Sequence, residues 1–277
     1  MVLRPGGVRA LGPQTGGWLQ WFIGFTEGDG AILESKGKLS FVIGQKDVGV
    51  LYHIQEVLGF GMVNVYPDRE HGRYAVWDSN HIALLIHLFN GNLVLPKRID
   101  QLKVWLAVYN SKKGNIPIIS LQNAVKLSLN SAWLAGFTDA EGCFNVHITK
   151  RPAQKIGFRT KLRFILDQQF SKECLEEIKT ILNSGHVALR SKTNQVYRYS
   201  TDSFRGLTII LEYYKKFPLK TTKLNSFEKW SEVWHLMVKG EHLTKEGFKK
   251  IQELAKEVNN NPFNYPPALS ALSNDEV

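Results

Sequence analysis

The chain is predicted to be an α+β protein made of two similar units, on three observations. Residues 18–30, WLQWFIGFTEGDG, return as residues 130–142, NSAWLAGFTDAEG, so that Gly24 matches Gly136, Asp29 matches Glu141 and Gly30 matches Gly142. The same order of segments follows each copy. Within each copy the apolar period switches between that of helices and that of strands, placing helices and antiparallel hairpins in runs.

The elements follow in order. Each motif reads as a helix. Ala31 to Gly44 reads as a hairpin turning at Lys36-Gly37-Lys38, and Asn64 to Asp78 as a second turning near Glu70-His71-Gly72; residues 143–167 and 186–200 repeat them. KLSFVIGQKD (38–47) parallels KLRFILDQQF (161–170), and VLYHIQEVLGFGMV (50–63) parallels CLEEIKTILNSGHV (174–187). SNHIALLIHLFNG (79–91) parallels SFRGLTIILEYYKKF (203–217), and lysine-bearing helices follow both, at 96–109 and 219–238. NIPIISLQNAVKLSLN (115–130) is set beside EHLTKEGFKKIQELAKEVNN (241–260). The units are thus 16–110 and 130–260, joined by 111–129, with a flexible leader over 1–15 and a flexible tail over 261–277.

Composition narrows the chemistry. The 277 residues are 43% hydrophobic, enough for a real core in each unit, and carry a net charge of +10, which favours a polyanionic partner. The two cysteines, Cys143 and Cys174, form no CxxC or Cys/His cluster, which argues against zinc. There is no P-loop and no H-x-E…P-C-x-x-C deaminase signature. No apolar run reaches membrane-spanning length, and the N-terminal stretch has no h-region of a signal peptide.

The motif has its own logic. A glycine inside a helix costs roughly 0.5–1 kcal/mol relative to alanine. Two such glycines, Gly24 and Gly136, would let the two motif helices pack nearly backbone to backbone about a pseudo-twofold axis. Each helix is expected to stop at its C-terminal glycine, Gly30 or Gly142. The last carbonyls of a helix carry partial negative charge, so Asp29 or Glu141 there is unfavourable until a cation neutralises it. Carboxylates with the backbone carbonyls of Gly28 and Ala140 are hard oxygen donors suited to Mg²⁺. Paired metal sites can orient water and stabilise both attacking and leaving oxygens of a phosphodiester. Glu27 and Asp139 are rival ligands, better placed for a structural role between the helices.

WFIGFTEGDG and WLAGFTDAEG resemble the two signature helices of the LAGLIDADG homing endonucleases, and the resemblance extends over about residues 16–260. Two copies in one chain look like the monomeric, single-chain branch. The resemblance implies an αββαββα unit used twice, with the antiparallel sheets forming a saddle over double-stranded DNA and the motif helices packed between the units. It implies a site-specific, Mg²⁺-dependent endonuclease with two or three ions, Mn²⁺ or Ca²⁺ substituting for binding and Ca²⁺ without cleavage. One phosphodiester in each strand would be cut across the minor groove, leaving 3′ overhangs. Gln45 and Gln168 would help order the water around the metals, with Gln169 an alternative to Gln168. Lys97 and Lys223 would stabilise charge on the scissile phosphate, with Arg98 and Lys220 as neighbours able to take that role. An organellar setting, most readily mitochondrial, also follows from the family, as does the rival activity of an intron-RNA maturase. A DNA-binding protein without catalysis would be expected to have lost an acid, and neither is lost.

The hairpins are expected to read DNA, since a two-stranded ribbon fits the major groove and alternate residues share a face. In the first unit that face carries Leu33, Ser35, Lys38, Ser40 and Val42. In the second it carries Asn145, His147, Thr149, Arg151, Arg159, Lys161 and Arg163, while Phe158, Leu162 and Phe164 face the helices. The second hairpins add Arg69 and Arg73, and Arg190, Lys192, Asn194 and Arg198. The second ribbon is the more basic, so the C-terminal half should supply more affinity and the N-terminal half read by packing and shape. Aspartate is a methylene shorter than glutamate, so the two strands should be nicked at unequal rates.

Overall fold

The computed structural model describes residues 14–121, 125–258 and 260. The leader and tail expected over 1–15 and 261–277 lie outside them, save that residues 14 and 15 begin the first helix. The described residues form two compact units, one of 14–121, 125–126 and 131–140, the other of 127–130, 141–258 and 260.

In the first unit, helix α1 (Gln14–Asp29) runs straight into strand β1 (Gly30–Ser35), which returns as β2 (Lys38–Gln45). Lys36 and Gly37, at φ +50° and +77°, make the two-residue turn whose twist matches that of the strands. Helix α2 (Val48–Leu58) is capped by the Asp47 carboxylate, which accepts from Val50 N, and ends on left-handed Gly59. Strands β3 (Met62–Tyr66) and β4 (His71–Val76) form the second hairpin, turning through Pro67–Glu70, slightly earlier than the sequence suggested. Helices α3 (Ser79–Phe89) and α4 (Pro96–Ser111) follow. The sheet is antiparallel in the order β1-β2-β4-β3. Its inner face, with Ile32, Phe41, Ile43, Tyr74 and Val76 buried, packs under the helices, and Phe22, Phe41 and Phe89 form one aromatic cluster. Helix α5 (Trp133–Glu141), the second motif helix, belongs to this unit as far as Ala140.

The second unit repeats the pattern. Strands β5 (Gly142–Lys150) and β6 (Phe158–Gln169) lead to helix α6 (Lys172–Leu182). Strands β7 (His186–Ser191) and β8 (Val196–Thr201) lead to α7 (Phe204–Lys216), α8 (Lys223–Val238) and α9 (Lys245–Glu257). The sheet order, β5-β6-β8-β7, is the counterpart of the first. Phe144, Phe164, Tyr214, Phe227 and Trp230 interlock as its aromatic core.

One expected parallel fails. Residues 115–121 and 125–128 form no helix, whereas their proposed counterpart contains α9. Pro117 and three isoleucines disfavour a helix there. Instead Asn110 holds the Ile118 peptide through both its N–H and C=O, and Asn90 accepts from Leu121 N while donating to Ile119 O. Among the described residues no helix is long and apolar enough to cross a membrane.

Candidate active site and nucleic-acid interface

The two motif helices touch through their glycines. A Cβ on Gly24 would lie 2.0 Å from Trp133 O, and one on Gly136 would lie 1.8 Å from Trp21 O. Only residues without a side chain permit this approach. The contact is reinforced reciprocally: Trp21 Nε1 donates to Asp139 Oδ2 at 2.7 Å, and Trp133 Nε1 donates to Glu27 Oε2 at 2.6 Å. Glu27 also accepts from Val94 N and Leu95 N, at the start of α4. Burial pushes the Glu27 carboxyl up to about 7, against the pull of these donors and of Arg98. Glu27 and Asp139 are therefore buried between elements and not offered to a ligand, in keeping with the structural role expected of them.

The acids stand where the helices become strands. Gly30 and Gly142 do not take the left-handed conformation expected of a helix-ending glycine; each opens a strand directly. Gly30 is required for space, since a Cβ would come within 2.6 Å of Thr26 O. The register pairs Gly30 with Ile43 and Gly142 with Leu166, so Gln45 and Gln168 occupy equivalent positions two residues further along β2 and β6. Gln45 Nε2 donates to Asp29 Oδ2. Gln168 Oε1 is buried and accepts no hydrogen bond among the described residues. Gln169 turns away and donates to Asn194 O, so strand register favours Gln168 as the counterpart of Gln45.

Of the basic candidates in the first unit, Lys97 is exposed on α4, whereas its neighbour Arg98 is buried. Arg98 Nε donates to Glu27 O and Nη2 to Gly28 O, both at 3.0 Å, which places a permanent cation on the last carbonyls of α1. The Gly28 carbonyl expected to bind metal is thus shared with this guanidinium. In the second unit Lys223 is the half-buried first residue of α8, and Lys220 is exposed ahead of it.

Strand parity places the candidate reading residues on one face of each sheet. On the first sheet Leu33, Ser35, Lys38, Ser40 and Val42 share the face away from the helices, joined by exposed Arg73; Arg69 lies in the β3–β4 turn. On the second, Asn145 faces Arg163, His147 faces Lys161 and Thr149 faces Arg159 across β5 and β6. His147, Thr149, Arg151, Arg159, Lys161 and Arg163 line a groove of about 370 Å³ completed by His186, Ser200, Thr201 and Asp202. Arg163 donates twice to Asn145 Oδ1, and Lys161 pairs with Asp202 at 2.8 Å, which holds the Asp202 carboxyl below its ordinary range. Asp167 receives a bidentate contact from Arg198 and a further one from Arg190, and it raises the Arg198 pKa. Lys192 and Asn194 are exposed in the β7–β8 turn. Sequence reasoning missed Asp167, Asp202 and His186; continuing the strand parity along β6 and β7 and one residue past β8 would have found them.

A family model described as LAGLIDADG endonuclease matches residues 22–109 and 134–234. The chain belongs to the LAGLIDADG endonuclease family. It is 36% identical over 255 residues to a probable intron-encoded endonuclease 4 of Neurospora crassa, covering 89% of this chain and 45% of that protein. It is 25% identical over 211 residues to the intron-encoded RNA maturase bI4 of Saccharomyces cerevisiae, covering 74% of this chain and 30% of that one. The chain thus spans less than half the length of either protein. The crystal structure of the LAGLIDADG homing endonuclease I-LtrWI bound to target DNA superposes with a TM-score of 0.73 at 23% identity, covering 88% of this chain and 99% of that one, which shows a shared fold. The motif helices within the matched stretches are those that carry Asp29 and Glu141.

Proposed function

We propose that this chain is a site-specific double-stranded DNA endonuclease, acting as a monomer, that hydrolyses one phosphodiester in each strand across the minor groove and leaves 3′ overhangs. The observation that carries this reading is the duplicated acid-to-strand junction: an acid ends each motif helix, the next residue opens a reading strand, and a glutamine stands at the same register opposite. Membership of the endonuclease family supports it.

Asp29 and Glu141, with the Gly28 and Ala140 carbonyls, are assigned as the protein ligands of Mg²⁺. The donor set fits: carboxylate and carbonyl oxygens are few, as suits an ion that keeps several waters and takes phosphate oxygens from its substrate. When bound, the ion supplies Lewis acidity at the phosphate and a water of lowered pKa. Gln45 fixes the Asp29 carboxylate by its hydrogen bond. Gln168, with its buried free acceptor, fits the role of holding a donor such as water at the second acid. Arg98 steadies the α1 terminus by donating to the Glu27 and Gly28 carbonyls, while Lys97, exposed beside it, and Lys223 in the second half are assigned to stabilise charge on the scissile phosphate.

The likeness to an intron-encoded RNA maturase favours one second reading, binding of a host intron RNA, alone or beside DNA cleavage. An organellar, mitochondrial setting accords with the intron-encoded relatives. The deciding experiment offers a randomised duplex DNA library in Mg²⁺ to the chain and to Asp29→Asn and Glu141→Gln. Cutting at one long site, with variants that bind but do not cut both strands, is the expected result. Absence of specific DNA binding, with binding of structured intron RNA, would move the second reading to the front.

A further inference from the structure

We propose that the outer face of the first sheet reads its half of the DNA target through thymine methyl groups. This rests on the DNA-reading assignment above and adds the chemistry of one half-site to it. The register lays Ala31, Val42, Ala75 and Met62 side by side in one row across all four strands. None has a side-chain donor, and the only acceptor is the weak thioether sulfur of Met62. Beyond this row stand Leu33 on β1 and Trp77 just past β4; Leu33, Met62 and Trp77 are 41%, 48% and 56% exposed.

The same row of the second sheet is Cys143, Ile165, Ser200 and His186, and the position of Leu33 is there Asn145, paired with Arg163. One scaffold therefore presents an apolar row in one half and a mixed row, with Ser200 and His186 as its polar members, in the other. The first face is not a core left uncovered, because its inner side already buries Ile32, Phe41 and Ile43 against the helices. Exposed Lys38 and Arg73 share the face, which suits a polyanion better than an apolar protein partner. In the major groove an apolar side chain can distinguish bases through one group, the C5-methyl of thymine, since every other edge feature is a hydrogen-bond donor or acceptor. Burying one such carbon is worth roughly fourfold in affinity.

The test leaves the fold untouched by changing the DNA. The duplex selected by the full chain from a randomised library is remade with each thymine replaced in turn by deoxyuridine, and binding is measured in Ca²⁺. The expected result is a cluster of positions in one half of the site where loss of the methyl weakens binding roughly fourfold each. In Leu33→Asn and Met62→Gln chains, changed only at exposed side chains, that sensitivity should shrink at the facing positions. Uniform tolerance of deoxyuridine, or a sensitivity that both variants keep, would overturn the proposal while leaving the endonuclease reading intact. Selection of no duplex at all would overturn both.

Discussion

Trp133 and Glu27 join the two motif helices through one buried hydrogen bond, Nε1 to Oε2 at 2.6 Å, and Trp21 and Asp139 mirror it at 2.7 Å. A buried carboxylate is tolerated only when its oxygens are satisfied, and Glu27 meets that with an indole and two backbone N–H groups. Replacing Trp133 by Phe withdraws one donor from a carboxyl group that has almost no access to water. Trp133→Phe should lower unfolding free energy by about 1–3 kcal/mol, and Trp21→Phe by a similar amount. Urea denaturation checks this; a change within about 0.5 kcal/mol, the ordinary range of surface substitutions, would show that the pairing contributes little.

The glycines make a sharper contrast within one helix. Alanine at Gly24 would force a carbon to within 2.0 Å of the Trp133 carbonyl oxygen, and backbone cannot give way there as a flexible side chain can. Gly24→Ala and Gly136→Ala should each cost more than about 3 kcal/mol or leave no folded protein. Gly17 lies in the same helix with nothing within 4 Å of its missing Cβ. Gly17→Ala should instead stabilise by about 0.5–1 kcal/mol, the intrinsic preference of a helix for alanine. Thermal denaturation of Gly24→Ala and Gly17→Ala decides the matter, and similar effects at these two positions would contradict it.

Much of this was legible beforehand because the repeat supplied two readings of each element. Strand parity placed Leu33 and Arg163 on outer faces, and helix-centre glycines announced a close approach, since both follow from local geometry. What escaped was whatever depends on the partner across space. Asp167 looks like any strand acid until Arg198 and Arg190 are seen to converge on it. Lys97 and Arg98 are adjacent in sequence, and only the rotation of α4 decides which one meets the α1 carbonyls. The parallel drawn between 115–130 and 241–260 failed because Asn110 and Asn90 hold the Ile118, Ile119 and Leu121 backbone by side-chain hydrogen bonds.

Tyr74 and Tyr199 occupy equivalent places in the two sheets, each donating its hydroxyl to a carbonyl, Phe60 O and Ser184 O. Burial raises both phenols well above their ordinary pKa of 10.0. Below pH 10 the folded and unfolded chains hold these protons equally, so the contribution to stability is fully present. Above it the unfolded chain releases protons that the folded chain keeps, and stability falls as pH rises. Absorbance titration in the phenolate band should therefore show at least these two of the nine tyrosines failing to ionise until the chain unfolds. Tyr74→Phe and Tyr199→Phe should each make the alkaline fall in stability shallower. Full titration of all tyrosines in folded protein would refute the burial argument.

Arg98 acts, on the proposed reading, by holding the carbonyls beside Asp29 and not by contacting DNA. Arg98→Gln should slow nicking of one strand by roughly 10–100-fold, as loss of a supporting partner of a metal ligand does. Binding of the same target in Ca²⁺ should stay within about twofold if the fold is intact. Supercoiled and end-labelled substrates separate the strands. Equal slowing of both strands would show that Arg98 supports the whole helix pair, and weakened binding would make it a DNA contact.

On the proposed reading, Asp167 restrains two cations that would otherwise add to non-specific attraction for DNA. With Arg198 held bidentate and Arg190 drawn to the same carboxylate, two guanidiniums are fixed in direction and partly neutralised on the outer face of the second sheet. A fixed guanidinium can be selective for a base edge, whereas a mobile one finds phosphate on any sequence. Asp167→Asn removes the charge but keeps the shape. Binding to unrelated duplexes should strengthen, and its dependence on salt should steepen by about one to two counterions, as each released arginine becomes able to neutralise a phosphate. Binding to the selected target should change less, because a freed arginine gains phosphate contacts as it loses orientation, so the ratio of specific to non-specific affinity should fall. Salt titrations with target and random duplex measure both slopes. An unchanged ratio would mean that Asp167 anchors the strands without shaping what they read.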